Sequence, residues 1–229
     1  MPRKLRCSRS VIAHYRGLLN LTQLQLAVKA DVSERVVRRA EAGESLRMST
    51  LDALARALSP EGMLLKGVDL TCDPLAVAQA LKRAYTDWGV EIVHRCQHLL
   101  SPDVVVAIYT DVVAFGGEFH GLAGLEKVIR DGTAQFEDRM VQSERWSVEG
   151  NRVMVLCHEL FRLAGSESGP RLETWLLHEY TVVDGRVSRI DSYIDSLAWV
   201  RYLERTGTTR EAVVGSDRSE RTEEAVSLA

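Results

Sequence analysis

The chain has 229 residues, 45% apolar and 27% charged, with a formal net charge of −3. That length holds one large domain or two small ones with separate cores. No run of about 18 uncharged apolar residues offers a membrane span, and the start Met1-Pro2-Arg3-Lys4-Leu5-Arg6 lacks the apolar stretch of a secretory leader.

The charge is unevenly placed. Residues 1–67 hold 12 Lys/Arg against 6 Asp/Glu (+6), and residues 68–229 hold 17 against 26 (−9). A basic front and an acidic back predict two modules, the front one suited to a phosphate backbone. Cys7, Cys72, Cys96 and Cys157 are scattered, without the close spacing of a zinc or redox motif. They read as reduced thiols of a cytoplasmic protein, and no metal or cofactor is assigned.

In chain order, Ser10–Leu19 carries a helical stripe of Val11, Ile12, Tyr15, Leu18 and Leu19. Thr22 is placed to cap a second helix running to Ala30, and Ser33 a third running to about Ala42 before Gly43. Ser49 is placed to cap a fourth, with Leu51, Leu54, Ala55 and Leu58 on one face. Pro60-Glu61-Gly62 marks the exit. Leu75 to about Leu100 has helical periodicity interrupted near Gly89. Val104–Tyr109 and a segment ending Phe119-His120-Gly121 read as short strands around a Gly116-Gly117 turn. Leu122 to about Phe136 returns to helix. Long strands are expected at Met140–Val148, Arg152–Leu163, Arg171–Val183 and Val187–Ile194. Glu149-Gly150-Asn151 and Asp184-Gly185-Arg186 are hairpin turns. Ser196–Glu204 reads as a closing helix, and 206–229 as a disordered tail.

The segment from Thr22 to Gly43 has what two steeply crossing helices need. Ala27 is small at the contact. Leu24, Leu26, Val32, Val37 and Ala40 are spaced for the inner faces, and Asp31 tolerates the left-handed turn. Over about residues 10–62 the chain resembles the Cro/phage-repressor (XRE-type) helix-turn-helix family, which usually has Gly where Asp31 stands. The resemblance implies base reading by Ser33, Glu34, Arg35 and Arg39 from the third helix. It implies phosphate contacts by Gln23, Arg38 and Arg47, and a structural ion pair between Arg16 and Glu41. The stretch Arg3-Lys4-Leu5-Arg6 reads equally as a phosphate-contacting arm or a solvated end.

Three further stretches carry a second resemblance. They are Leu99–Val105, Gly121–Ile129, and Glu179–Val187 with Ile190–Asp195. Over about 74–204 they resemble the SnoaL-like, nuclear-transport-factor-2-like superfamily. That implies a curved antiparallel sheet wrapped on helices into a cone. His158, Trp175, His178, Tyr180, Asp191, Tyr193 and Asp195 are the candidate pocket residues. Alternation separates Trp175 from His178 and Tyr180.

The expected fold is therefore two domains, an all-α helix-turn-helix bundle followed by an α+β cone. The limits are 1–67 for the first domain, 68–74 for a linker, 75–205 for the second and 206–229 for the tail. The expected function is a dimeric, sequence-specific transcriptional regulator rather than an enzyme. Its partners would be a twofold-related operator in double-stranded DNA, a second copy of itself and a hydrophobic small molecule, with no membrane. The alternative is an isomerase- or cyclase-type enzyme with an accessory DNA-binding head, in which Asp195 would be the general base.

Overall fold

Short apolar stripes build short helices, and the front of the chain is made of them. In a computed structural model describing residues 4–110, 112–113, 115–164 and 169–207, strand β1 (Lys4–Arg6) precedes α1 (Arg9–Leu18), α2 (Gln23–Lys29) and α3 (Glu34–Glu41). Strand β2 (Ser45–Arg47) leads into α4 (Met48–Leu58). The chain divides into two compact units, Met1–Pro102 with Val148–Val153 and Tyr180–Ser188, and Asp103–Ser147 with Met154–Glu179 and Arg189–Ala229.

In the first unit, Val11, Ile12 and Tyr15 of α1 are buried, as are Leu26, Val37, Leu51, Leu54 and Leu58. Leu18 is exposed rather than inward, because the stripe ends with the last turn of α1. The fourth helix starts at Met48, one residue before the expected cap Ser49, since β2 runs directly into it. Lys4–Arg6 pairs antiparallel with Ser45–Arg47, placing Lys4 opposite Arg47, Leu5 opposite Leu46 and Arg6 opposite Ser45. The basic start is thus a strand from Lys4, paired with a strand whose central Leu46 is buried. Asp73 caps α5 (Pro74–Trp88), accepting from Ala76 N at 3.1 Å, with Pro74 at the first helical position. Gly89 ends α5, and α6 (Ile92–Arg95) follows.

The remaining elements are β3 (Leu100–Tyr109), β4 (Gly117–His120), α7 (Gly121–Gln135), β5 (Phe136–Glu149), β6 (Arg152–Leu163), β7 (Leu172–Val183), β8 (Arg186–Ile194) and α8 (Ser196–Thr206). The sheet order is β4-β3-β8-β7-β6-β5, a curved sheet on helices. The expected strand at Met140 begins four residues earlier, at Phe136, and Asp138 takes a positive φ of 52° within it. Asp184 and Gly185, with φ of 50° and 78°, make the β7–β8 hairpin turn. A side chain at 185 would also meet Ser8 Oγ at 2.8 Å, so glycine is needed twice over. In the second unit the buried core gathers Phe115, Phe161, Trp199 and Tyr202, and the half-buried Phe136 meets Phe161 with ring centroids 4.8 Å apart. The tail expectation at 206–229 falls, from residue 208 on, outside the described residues.

Candidate nucleic-acid interface and sheet-face residues

The helix-turn-helix geometry follows from its local chemistry. Thr22 Oγ1 accepts from Gln25 N at 3.1 Å, and Gln25 Oε1 accepts from Thr22 N at 2.8 Å, a reciprocal cap on α2. Asp31 takes a φ of 53° at the turn, and Val32 N then donates to Ala27 O at 3.0 Å. Ala27, Leu26, Val37 and Ala40 are buried. Leu24 departs from its expected inward place and is 59% exposed. A seven-residue helix buries one narrow stripe, which Leu26, Ala27 and Ala30 already fill, so Leu24 and Val28 lie on the outer side.

Glu41, the last residue of α3, joins all three helices. Arg16 Nε of α1 pairs with its Oε1, and Gln23 Nε2 of α2 donates to its Oε2 at 2.6 Å. Arg16 Nη1 also donates to Leu21 O at 2.8 Å. The side chain expected at a phosphate, Gln23, is thereby oriented from within the domain. Arg9 Nε donates to Glu41 O at 3.1 Å, satisfying a carbonyl at the end of α3.

On α3, Glu34 pairs with Arg38 at 2.6 Å, and Arg39 with Glu44 at 2.6 Å. Arg35 is exposed in the first turns of α3 and, among the described residues, makes no ion pair or side-chain hydrogen bond. Ser33 precedes the helix without capping it through its side chain. Arg47 is exposed beside Lys4, a pair of like charges directly across a strand ladder.

The seven pocket candidates do not converge. His158 Nε2 lies 2.9 Å from Glu173 Oε1, and its ring stacks on Trp175 at 4.6 Å. Trp175 is 40% exposed, so this group lies on the open face of the sheet. Asp191 and Tyr193, two apart on β8, share the face that carries Tyr109. Tyr109 Oη donates to Asp191 Oδ1 at 2.9 Å, and the rings of Tyr109 and Tyr193 stack at 4.7 Å. Arg189 Nε bonds both oxygens of Asp191, at 3.0 and 2.9 Å, and Nη2 reaches Glu118 at 3.2 Å. The bonds to Asp191, then to Tyr109, push the Arg189 guanidinium above its already high range. Asp195 is the cap of α8 and accepts from Ala198 N at 3.1 Å.

His178 and Tyr180 occupy the opposite face of β7, where Leu172, Thr174 and Leu176 are also buried. His178 Nδ1 lies 2.8 Å from Ser192 Oγ. Sequence reasoning missed the neighbours that share this face. Cys157 and Glu159 on β6 bring their sulfur and carboxylate within 4.8 Å of each other and of a His178 ring nitrogen. Arg139 bonds Glu159 through Nε and Nη2, each at 2.7 Å. Alternation in Arg152–Leu163 puts the pair on one face, where Val153, Val155, Cys157, Glu159 and Phe161 form one buried row. The polar residues at 157 and 159 interrupt an otherwise apolar row.

Two family models match the chain, helix-turn-helix at residues 12–59 and SnoaL-like domain at residues 81–190. The chain joins an XRE-type helix-turn-helix to a SnoaL-like domain. The helix-turn-helix points to a DNA-binding regulator, and the SnoaL-like domain to a ligand-binding or isomerase-like fold. No curated protein matches the chain. Solved structures similar to it include an NTF2-like protein from Burkholderia xenovorans LB400, 20% identical over 55% of this chain and 94% of that one, with a TM-score of 0.48. An NTF2-like protein from Burkholderia thailandensis E264 is 11% identical over 57% and 96%, with a TM-score of 0.49. TerC, co-crystallised with polyporic acid, is 19% identical over 58% and 99%, with a TM-score of 0.47. No helix among the described residues is long and apolar enough to cross a membrane.

Proposed function

We propose that the chain is a sequence-specific transcriptional regulator that binds a twofold-related DNA operator as a homodimer. The helix-turn-helix domain (1–67) would read DNA, and a linker (68–74) would join it to the SnoaL-like domain (75–205), with a tail beyond. The observation that carries this reading is Arg35. It is exposed on α3 and unengaged among the described residues, while Glu41 holds that helix to α1 and α2. A guanidinium so placed can grip guanine O6 and N7 as a fork. Ser33, Glu34 and Arg39 complete the reading set. Gln23, Arg38 and Arg47 make phosphate contacts in this reading, and Lys4 beside Arg47 adds a second positive charge that an anion would relieve.

The SnoaL-like domain serves dimerisation and small-molecule sensing rather than catalysis. The cap made by Asp195 and the pairing of Asp191 with Arg189 support this, because both carboxylates are engaged in structural roles. Tyr109, Trp175 and Tyr193 are exposed on one face of the sheet and suit it for pairing with a second copy. His178 and Tyr180 on the other face are the candidates for a ligand.

Band-shift titration against duplexes from the chain's own genomic neighbourhood tests the reading. Arg35→Ala is expected to weaken the specific complex by about 1–3 kcal/mol and relax preference at one base position. No retardation of any such duplex at low ionic strength, or equal loss on specific and random DNA for Arg35→Ala, would overturn it.

A further inference from the structure

Three donor side chains of different chemistry meet on the buried face of adjoining strands β6 and β7. Cys157 and Glu159, two residues apart, share a face of β6 and are both fully buried. With His178 of β7 they place a sulfur, a carboxylate oxygen and an imidazole nitrogen within 4.8 Å of one another.

A supporting set surrounds them. Ser192 Oγ lies 2.8 Å from His178 Nδ1 and orients the ring. Arg139 grips both oxygens of Glu159, at 2.7 Å each. A carboxylate has roughly four lone-pair sites, and the guanidinium fork takes one on each oxygen. Thr174 Oγ1, on the same face of β7, is buried and lacks a hydrogen-bond partner among the described residues.

We propose that Cys157 Sγ, the Glu159 carboxylate and His178 Nε2 bind one divalent cation of the zinc class, leaving a fourth position for water or a small ligand. Zinc takes sulfur, nitrogen and oxygen donors at about 2.0–2.3 Å in a tetrahedron, so modest side-chain rotations draw the three atoms onto one ion. The Cys157 thiol releases its proton to solvent on binding, and the thiolate becomes the ligand. Magnesium and calcium prefer all-oxygen sets, and the mixed set discriminates against them. Without the ion, Arg139 balances the buried Glu159 charge, so the face stays folded. The spacing of cysteines along the chain hides this site, because its ligands come from two strands and one of each kind. The inference goes beyond DNA binding and does not depend on it.

The test is a cobalt titration of full-length protein stripped with a chelator, followed by zinc competition. One cobalt per chain is expected, with a thiolate-to-cobalt charge-transfer band that zinc abolishes. Cys157→Ser should remove the band. Ser192→Ala keeps all three ligands and should weaken cobalt binding about tenfold through the loosened imidazole. Circular dichroism checks folding, and if Cys157→Ser does not fold, the wild-type titration and Ser192→Ala decide. A wild-type protein without the band, a band that survives Cys157→Ser, or unchanged affinity in Ser192→Ala overturns the proposal. None of these readouts involves DNA, so the result is separate from the operator experiment.

Discussion

Gln23 Nε2 donates to Glu41 Oε2 at 2.6 Å, linking the first residue of α2 to the last of α3. The other carboxylate oxygen takes Arg16 from α1. Glu41 therefore positions a proposed phosphate contact while holding the three-helix frame. Glu41→Ala removes the acceptor for two donors, one of them charged. A loss of about 1.5–3 kcal/mol of stability is expected, read by urea denaturation. Affinity for operator and random duplex should fall by the same factor, since phosphate contacts position the protein without reading sequence. A selective loss on operator alone would place Glu41 among the base-determining residues instead.

Lys4 stands opposite Arg47 across the β1–β2 ladder, and both are exposed. Like charges in that register repel each other. A phosphate between them would turn the repulsion into attraction. Lys4→Ala should lower the slope of log affinity against log salt by about 1 and leave base preference unchanged. Anisotropy titrations at several salt concentrations measure the slope. An unaltered slope would remove β1 from the interface.

Much of this architecture was legible in the chain. Thr22, Asp31 and Gly43 each carry backbone chemistry that marks a helix start, a turn and a stop. The structure uses them so, with Asp31 and Gly43 at φ of 53° and 78°. Burial alternates along Arg152–Leu163, but Met154, Leu156 and Leu160 make the other row apolar as well, so the chain alone does not mark which row is buried. Other features had no local signal. Three-residue strands such as Lys4–Arg6 are too short to show a period, and pairing with Ser45–Arg47 is a long-range event. Leu24 misled because in so short a helix an apolar residue fits a stripe on either side. The candidate pocket residues scattered because β8 ends at Ile194, which turns Asp195 into a helix cap. The Cys157–Glu159–His178 group spans two strands and could be assembled only once their pairing was known.

The cap itself is testable. Asp195 Oδ1 accepts from Ala198 N at 3.1 Å, and α8 carries the buried Trp199 and Tyr202. Asp195→Ala should cost about 1 kcal/mol of stability and leave operator binding unchanged. Asp195→Ser, which can still cap, should recover most of the loss. Were some turnover found in the wild type and abolished in both variants, the carboxylate would have a chemical role beyond the cap.

The stacked pair Tyr109 and Tyr193 lies on the exposed sheet face with Trp175. If subunits pair there, a charge at its centre is desolvated without a partner. Tyr193→Glu should shift the protein from dimer to monomer in analytical ultracentrifugation. Operator affinity should fall with it, because two half-sites can no longer be held together. A wild-type monomer, or a dimer untouched by the substitution, would relocate the interface.

His14 and His98 stack with ring centroids 3.9 Å apart and planes 15° from parallel, and Tyr15 meets the His98 ring edge-on at 5.2 Å. Burial, then His14 and Arg186, push His98 down to about 3, and burial lowers His14 as well. Both rings are thus neutral in the folded protein at pH values where the unfolded chain would protonate them. For His98 the unfolded state binds the extra proton between about pH 6.5 and pH 3, so stability is full above that window and declines as pH falls through it. A single group with this shift contributes a slope of up to about 1.4 kcal/mol per pH unit. His98→Phe keeps a flat ring against His14 without a titrating nitrogen. Urea denaturation at pH 7, 6, 5 and 4, run on both proteins, should show the variant losing less stability toward acid than the wild type. Parallel acid profiles would mean that His98 is already open to protons in the native state.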